Sequence, residues 1–241
     1  MKIIGFNLTQ KNTFIHIFAN IVIVAVIAVV AGVTLFPSSV PASSGRDSRV
    51  IYSGNPNNRN VSLMFDVYSG TEYMGPIFAI LTQYNIKASF FVGGTWVRDN
   101  VPLLQALING GQEIGNSGYH NKQQGKLNYN ENQEEITSCD DIVLAATGYK
   151  MALFMPPGGS YNTATVEVAS ALNYKVIMWS KNTEDLESSA DLIYMRAVSN
   201  LKGGDLILLH PTKNTLSALE SIIVNILSQG FNIVPVGVNI I

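Results

Sequence analysis

Short apolar runs rich in Val, Ile and Phe alternate with longer segments of helical periodicity from Val61 to the end of the chain. Such runs predict buried strands, and apolar residues spaced three and four apart predict amphipathic helices. Strands are predicted at residues 61–65, 88–92, 113–116, 152–155, 175–179, 205–209 and 232–236. Helices are predicted at residues 73–84, 101–109, 130–147, 163–172, 190–201 and 216–229. Because strand and helix units follow one another in series, the pattern predicts a largely parallel sheet, either doubly wound or closed into a barrel.

A different apolar segment lies near the N-terminus. Residues 14–36 contain no charged side chain, and a helix of this length crosses a hydrocarbon layer of about 30 Å. Lys2 and Lys11 precede it, which favours a cytoplasmic N-terminus. A signal peptide cleaved near Ala42 is the alternative, although the apolar run is longer than such signals usually have. We therefore expect an uncleaved single-pass anchor in the cell membrane.

This anchor divides the chain into four parts. Residues 1–13 are expected in the cytoplasm and residues 14–36 in the membrane. Residues 37–57 are polar and rich in Ser, Pro, Asn and Arg, which is typical of a linker. Residues 58–241 then form one extracytoplasmic domain.

Composition narrows the choice of partner. With 47% hydrophobic residues in 241, the chain can bury a full core, and a single domain is the natural expectation. The net charge of -2 gives no basic footprint, so nucleic acid is not an expected partner. Cys139 is the only cysteine and cannot form an internal disulfide.

Polar residues gather in the loops that follow the predicted strands. Asp66 follows the first strand and His210 the sixth, and both are candidate catalytic residues. The loops after the other strands supply candidate groove residues: Tyr119, His120, Pro157, Gly158, Ser160, Tyr161, Glu184 and Asp185. In parallel strand-helix folds these loops meet at one end of the sheet, where ligands bind. The sequence thus predicts a site that combines acids, histidines, hydroxyls and amides.

Five segments resemble the NodB-type polysaccharide deacetylases, and the resemblance spans about residues 58–239. They are ILTQYNIKASFFV (80–92), GQEIGN (111–116), PPGGSYN (156–162), YKVIMWS (174–180) and GDLILLH (204–210). The resemblance implies a distorted (β/α) barrel and removal of acetyl groups from N-acetylglucosamine polymers such as peptidoglycan. Membrane-anchored, sporulation-associated members look most similar. The implied partners are a glycan strand in the groove and the membrane through residues 14–36.

The metal motifs of that family are degenerate here. Where the family reads Thr-Phe-Asp-Asp-Gly, this chain keeps the first acid as Asp66, which the resemblance makes the general base. The second acid, a metal ligand, is replaced by Val67, and the two metal-binding histidines align with Ser117 and Asn121. Zinc prefers Cys, His, Asp or Glu ligands, so no cofactor is expected; zinc or another divalent metal enters only if the family mechanism survives.

The supporting residues of the catalytic pair also differ. The arginine that orients the family's base aligns with Met155, and the acid that supports the catalytic histidine aligns with Asn182, with Glu184 and Asp185 close by. His210 keeps the position of the general acid toward the leaving amine.

Three functions are consistent with these replacements. The domain is a degenerate relative that still binds glycan, or a deacetylase with a rearranged metal site that uses His120, or a domain that serves mainly as a protein-interaction surface. Loss of the metal leaves only acid-base chemistry, so efficient amide hydrolysis is not expected.

Overall fold

The computed structural model describes residues 47–241. Nine strands occur in this range: β1 (Val50–Ile51), β2 (Asn60–Val67), β3 (Ser89–Val92), β4 (Glu113–Asn116), β5 (Leu153–Phe154), β6 (Lys175–Ile177), β7 (Lys181–Asn182), β8 (Leu206–Leu209) and β9 (Asn232–Ile233). The α-helices of the same range are α1 (Thr71–Gln83), α2 (Gly94–Asp99), α3 (Val101–Asn109), α4 (Tyr129–Thr147), α5 (Thr163–Ala171), α6 (Ala190–Val198), α7 (Lys213–Ser228) and α8 (Val236–Asn239). Two short 3-10 turns lie at Gln124–Lys126 and Pro157–Gly159.

All strand pairs in the described range are parallel. The order is β1-β6-β5-β4-β3-β2-β8-β7, and β9 pairs with the N-terminal end of β2. Parallel neighbours require crossover connections, which the helices provide. The sheet curls into a half-barrel, so the expected α/β fold of the NodB type is confirmed for these residues.

The central strand β2 separates two cores. Leu63, Phe65 and Val67 pack in the large cluster under the helices, while Met64 packs in a smaller cluster inside the curl. Successive side chains of a strand point to opposite faces, so Asp66 shares the inner face with Met64. Phe65 also stacks on Phe90 of β3 at 4.9 Å between ring centroids. The alternation therefore aims Asp66 into the interior of the curl and Val67 toward the helices.

The predicted elements are all present, with shorter strands near residues 152–155, 175–179 and 232–236. Periodicity missed β1, β7, α2 and α8, which are too short to show a pattern. β1 lies inside the expected linker, because Val50 and Ile51 pair with Val176 and Ile177 of β6. The expected anchor at residues 14–36 lies outside the described residues. Within residues 47–241, no helix has the length and apolar character to span a membrane.

The segment before β2 is tied to the domain by close backbone contacts. The backbone N–H of Gly54 donates to the carbonyl of Gly204 at 2.7 Å. A Cβ added at Gly203 would lie 1.9 Å from the carbonyl oxygen of Asn58, so only glycine fits this approach.

We expect Gly203→Ala to lower the free energy of unfolding by about 1–3 kcal/mol, because the backbone at Asn58 must move to accept the methyl group. Gly75→Ala is the control. Gly75 is an exposed residue of α1 whose added Cβ would meet no atom beyond its chain neighbours. The gain in helix propensity is offset by contact of the new Cβ with Pro76, so the free energy of unfolding should change by less than about 0.5 kcal/mol. Urea denaturation of both variants measures the difference. Equal free energies of unfolding of the two variants would show that a methyl group in place of Gly203 does not collide with the backbone of Asn58.

Candidate functional site

A groove opens at the C-terminal ends of β2 and β8. Its cavity measures about 280 Å³. The polar lining residues are Asp66, Asn182, Glu184, Glu187 and His210. The apolar lining comes from Gly158, Trp179, Leu186 and Leu208. A concave site with apolar walls and a few converging polar groups is typical of a ligand site.

Asp66 is buried at the inner end of this groove. Its Oδ1 accepts a hydrogen bond from the hydroxyl of Ser117 at 3.0 Å, and its Oδ2 lies 3.9 Å from Nε2 of His210. Burial raises the pKa of Asp66 to about 6, although the charge of His210 and the hydrogen bond from Ser117 oppose the rise. A carboxyl group with this pKa is suited to accept a proton near neutral pH.

His210 is held by an acid that sequence alignment had not assigned. Its Nδ1 lies 2.8 Å from Oδ1 of Asp185, and its backbone N–H donates to Oδ2 of the same carboxylate. Thr215 also donates to Oδ2 at 2.6 Å. Asp185 therefore accepts the proton that His210 carries on Nδ1, and Nε2 of His210 is left facing Asp66. Burial alone would lower the pKa of His210, but the hydrogen bond and charge of Asp185 and the charge of Asp66 raise it overall.

The alignment put Asn182 at the position of the supporting acid, with Glu184 and Asp185 close by, and so left His210 without that acid; the structure shows that Asp185 supplies it. Asn182 ends β7, and its side-chain oxygen accepts the backbone N–H of Glu184 at 2.9 Å. That turn, with Glu184 in the left-handed region at φ 51, brings Asp185 inward and leaves Glu184 at the surface. The acid lies three residues beyond the aligned position, and only the turn shows which of two neighbouring acids reaches His210.

The residues at the family's metal positions do not fit a metal ion. Val67 has no donor atom and is fully buried in the core under the helices. The Ser117 hydroxyl is also fully buried and donates to Asp66 and the carbonyl of Met155. Asn121 is exposed with a left-handed backbone. Within residues 47–241, no three His, Cys, Asp or Glu side chains are grouped as metal ligands. The neutral donor set of these three positions matches none of the sites that zinc prefers.

His120 does not replace the lost ligands. Its Nδ1 lies 2.8 Å from Oε1 of Glu135, a buried acid of α4 that also pairs with Lys122 at 2.9 Å. The other oxygen of Glu135 accepts the backbone N–H groups of Tyr119 and His120. These four contacts fix the loop, so swinging the His120 side chain toward Asp66 would break its pairing with a buried carboxylate. The rearranged metal site loses its main candidate ligand.

Of the predicted groove residues, Gly158 and Glu184 line the cavity and the others do not. Tyr119 packs its ring on the edge of His120, with centroids 4.6 Å apart, and Pro157 is buried. Ser160 accepts the backbone N–H of Gly125, and the hydroxyl of Tyr161 lies 2.6 Å from that of Tyr52.

Sequence reasoning missed the apolar side chains of the lining, which are those of Trp179, Leu186 and Leu208. Trp179 and Leu186 follow β6 and β7, and Trp179 also lies under the turn at Gly159, where an added Cβ would be 2.7 Å from the indole. The position of Trp179 at the C-terminal end of a predicted strand was the available signal, because residues there lie near the ligand end of the sheet.

We expect Asp185→Asn to lower the pKa of His210, because it removes the negative charge that holds Nδ1–H. NMR titration of the imidazole measures it. Glu184→Gln is the matched control, since this exposed neighbour pairs with Arg196 and should leave the titration of His210 unchanged. An unaltered His210 in Asp185→Asn would contradict the assigned pairing.

Comparison with known proteins agrees with the geometry. The sequence profile of the polysaccharide deacetylase family matches residues 53–177. YlxY, an uncharacterized protein of Bacillus subtilis, is 33% identical over 75% of this chain, which spans 57% of the length of YlxY. A peptidoglycan-N-acetylglucosamine deacetylase of Bacillus cereus is 29% identical over 74% of this chain and 67% of its own length.

Solved structures of a CE4 family pseudoenzyme from Bacillus anthracis are also similar. The wild type superposes with a TM-score of 0.78 at 30% identity, over 80% of this chain and 69% of that one. A mutant of it, described as having restored enzymatic activity, gives the same TM-score and identity over 80% and 71% of the two chains. Because the family profile covers more than half of the chain, the chain belongs to the polysaccharide deacetylase family.

Proposed function

We propose that this protein binds strands of N-acetylglucosamine-containing cell-wall glycan, such as peptidoglycan, and is impaired as a deacetylase. One observation carries the proposal. The groove keeps Asp66 and His210, while the family's metal positions are filled by Val67, Ser117 and Asn121. The peptidoglycan deacetylase among its relatives supports the ligand class. The similar pseudoenzyme from Bacillus anthracis supports the impairment.

The residues present explain what chemistry remains. Asp66 is placed to accept a proton, and the raised pKa of His210 favours a proton on Nε2 that a leaving amine can take. Such acid-base assistance contributes about 10²–10⁴-fold. Polarisation of the amide carbonyl by a metal is worth several kcal/mol, and no described side chain at the family's metal positions replaces it. The pair therefore binds and orients an amino-sugar unit better than it hydrolyses one.

We further propose that residues 14–36 anchor the protein in the cell membrane with residues 47–241 on the outer side. The uncharged apolar run and the lysines that precede it support this placement. Peptidoglycan lies on that side of the membrane, so the anchor would hold the groove near its ligand.

The binding proposal predicts that the purified protein cosediments with isolated peptidoglycan and carries no stoichiometric zinc. It should release acetate from peptidoglycan at least ~100-fold more slowly than the Bacillus cereus deacetylase assayed beside it. Metal analysis and acetate release measure the last two properties. Stoichiometric zinc together with activity that chelation abolishes would disprove the impairment.

Restoring the three ligands gives a companion test. Val67→Asp, Ser117→His and Asn121→His together should raise zinc affinity, which requires the carboxylate in place of Val67 to turn from the core under the helices toward Asp66. The same protein with Val67 retained is the control, and equal zinc affinity of the two proteins would show that this side chain keeps facing the helices. Turnover should recover less than metal binding. Met155 cannot orient Asp66 as the family's arginine does, and Ser117→His removes the hydrogen bond on Oδ1.

The placement predicts that the mature protein keeps its N-terminus and stays with membranes after a high-salt wash. Mass spectrometry of the membrane fraction and protease accessibility in intact cells check both points. A soluble mature form beginning near Ser43 would show that the apolar segment is a cleaved signal.

A further inference from the structure

The loop that joins β7 to α6 (residues 183–189) serves the groove in two ways. It supplies three of the lining residues, which are Glu184, Leu186 and Glu187. It also supplies Asp185, whose carboxylate accepts the Nδ1 proton and the backbone N–H of His210. The shape of the lining and the direction of the imidazole therefore depend on the backbone conformation of this one loop.

The loop needs outside contacts to keep that conformation. Glu184 has a φ of 51°, in the left-handed region that residues with a Cβ adopt only when their surroundings fix them. The next residue, Asp185, is a buried acid, and a buried carboxylate is costly when its partners move away. A side chain that fixes both ends of the loop would thus keep Asp185 in place.

Arg196 of α6 makes such contacts. Its Nη1 donates to the carbonyl oxygen of Thr183 at 3.1 Å and to the hydroxyl of Ser188 at 2.6 Å. Thr183 and Ser188 are both buried and stand on either side of Asp185 in the chain. A helical side chain leans toward the N-terminus of its helix, which brings the guanidinium back over the loop that precedes α6. One nitrogen therefore joins the two ends of the loop.

The backbone at Arg196 is tied to the strand on which the loop begins. Nζ of Lys181 in β7 donates to the carbonyl oxygen of Ser199 at 2.6 Å and to that of Arg196 at 3.4 Å. The guanidinium also pairs with Glu184 at 2.8 Å, but the Glu184 side chain is 60% exposed. Exposed ion pairs contribute little to stability. The two bonds of Nη1, rather than this ion pair, are the contacts that fix the loop.

We propose that Arg196 is a positioning residue of the groove, which holds Asp185 against His210 by fixing the backbone of Thr183 and the side chain of Ser188. Arg196 does not line the cavity, so it acts on a ligand only through the loop. Its effect on glycan binding rests on the proposed function, whereas its effect on the pairing of Asp185 with His210 does not.

NMR of the full-length protein in mild detergent tests the proposal. Arg196→Met should lower the pKa of His210 toward its ordinary value, because a displaced Asp185 no longer stabilises the imidazolium. The direction is diagnostic, since loss of a nearby positive charge by itself would raise this pKa. The backbone N–H of His210, which donates to Asp185, should exchange with solvent at least about tenfold faster.

Two further variants separate the contacts of Arg196. Ser188→Ala keeps the charge of Arg196 and removes one of its two loop bonds, so the pKa of His210 should fall by a smaller amount. Glu184→Gln removes only the exposed ion pair and should leave the pKa and the exchange rate unchanged. Circular dichroism checks that each variant is folded, and Ser188→Ala decides the outcome if Arg196→Met is not.

An unchanged or raised pKa of His210 in the folded variants Arg196→Met or Ser188→Ala overturns the inference. Cosedimentation with isolated peptidoglycan provides the second measurement, and it should weaken in Arg196→Met because Leu186 and Glu187 move with the loop. If the wild-type protein does not cosediment while the pKa of His210 falls in the variants, the proposed function fails and the role of Arg196 stands.

Discussion

The burial of one carboxylate at the end of β2 is the constraint on which the site depends. The register of β2 with β3 and β8 brings the strand into the centre of the curl, so Asp66 has little contact with water. The rise of its pKa from 3.8 to about 6 corresponds to about 3 kcal/mol of folding free energy lost at neutral pH. The sign follows from the raised pKa: this loss is absent below the unfolded pKa and grows as pH rises toward the folded one. Ser117 and His210 offset part of the cost.

Two buried acids outside Asp66 position the rest of the groove. Asp185 accepts three hydrogen bonds and orients His210, while Glu135 accepts three bonds and an ion pair and fixes the loop from Ser117 to Lys122. Buried carboxylates are stable only when their oxygens are paired, so each acts as an anchor for the backbone around it. The replaced metal positions thus lie on a loop that is held without a metal. This explains how the family's groove persists although its ligand set has been lost.

Retention of the acid-base pair without the metal gives the groove a different electrostatic character from that of a metal-loaded relative. A dication beside Asp66 would dominate the local charge, and here Val67 supplies only apolar packing. The remaining charges are carboxylates and one imidazole. Binding in such a groove depends on the donors that the ligand brings.

The sequence alone determined the strand-helix alternation, the parallel sheet, the resemblance to the deacetylases and the positions of Asp66 and His210, because each follows from local periodicity or a contiguous motif. It also identified the missing ligands. Only the tertiary structure decided between Asp185 and Asn182 and turned His120 toward Glu135. Both outcomes depend on turns in which one residue has a positive φ, Glu184 in the first case and Asn121 in the second. They also depend on hydrogen-bond partners at least fifteen residues away in the chain, which no local pattern encodes. β1 likewise exists because distant β6 pairs with it, and a two-residue strand has no periodicity of its own.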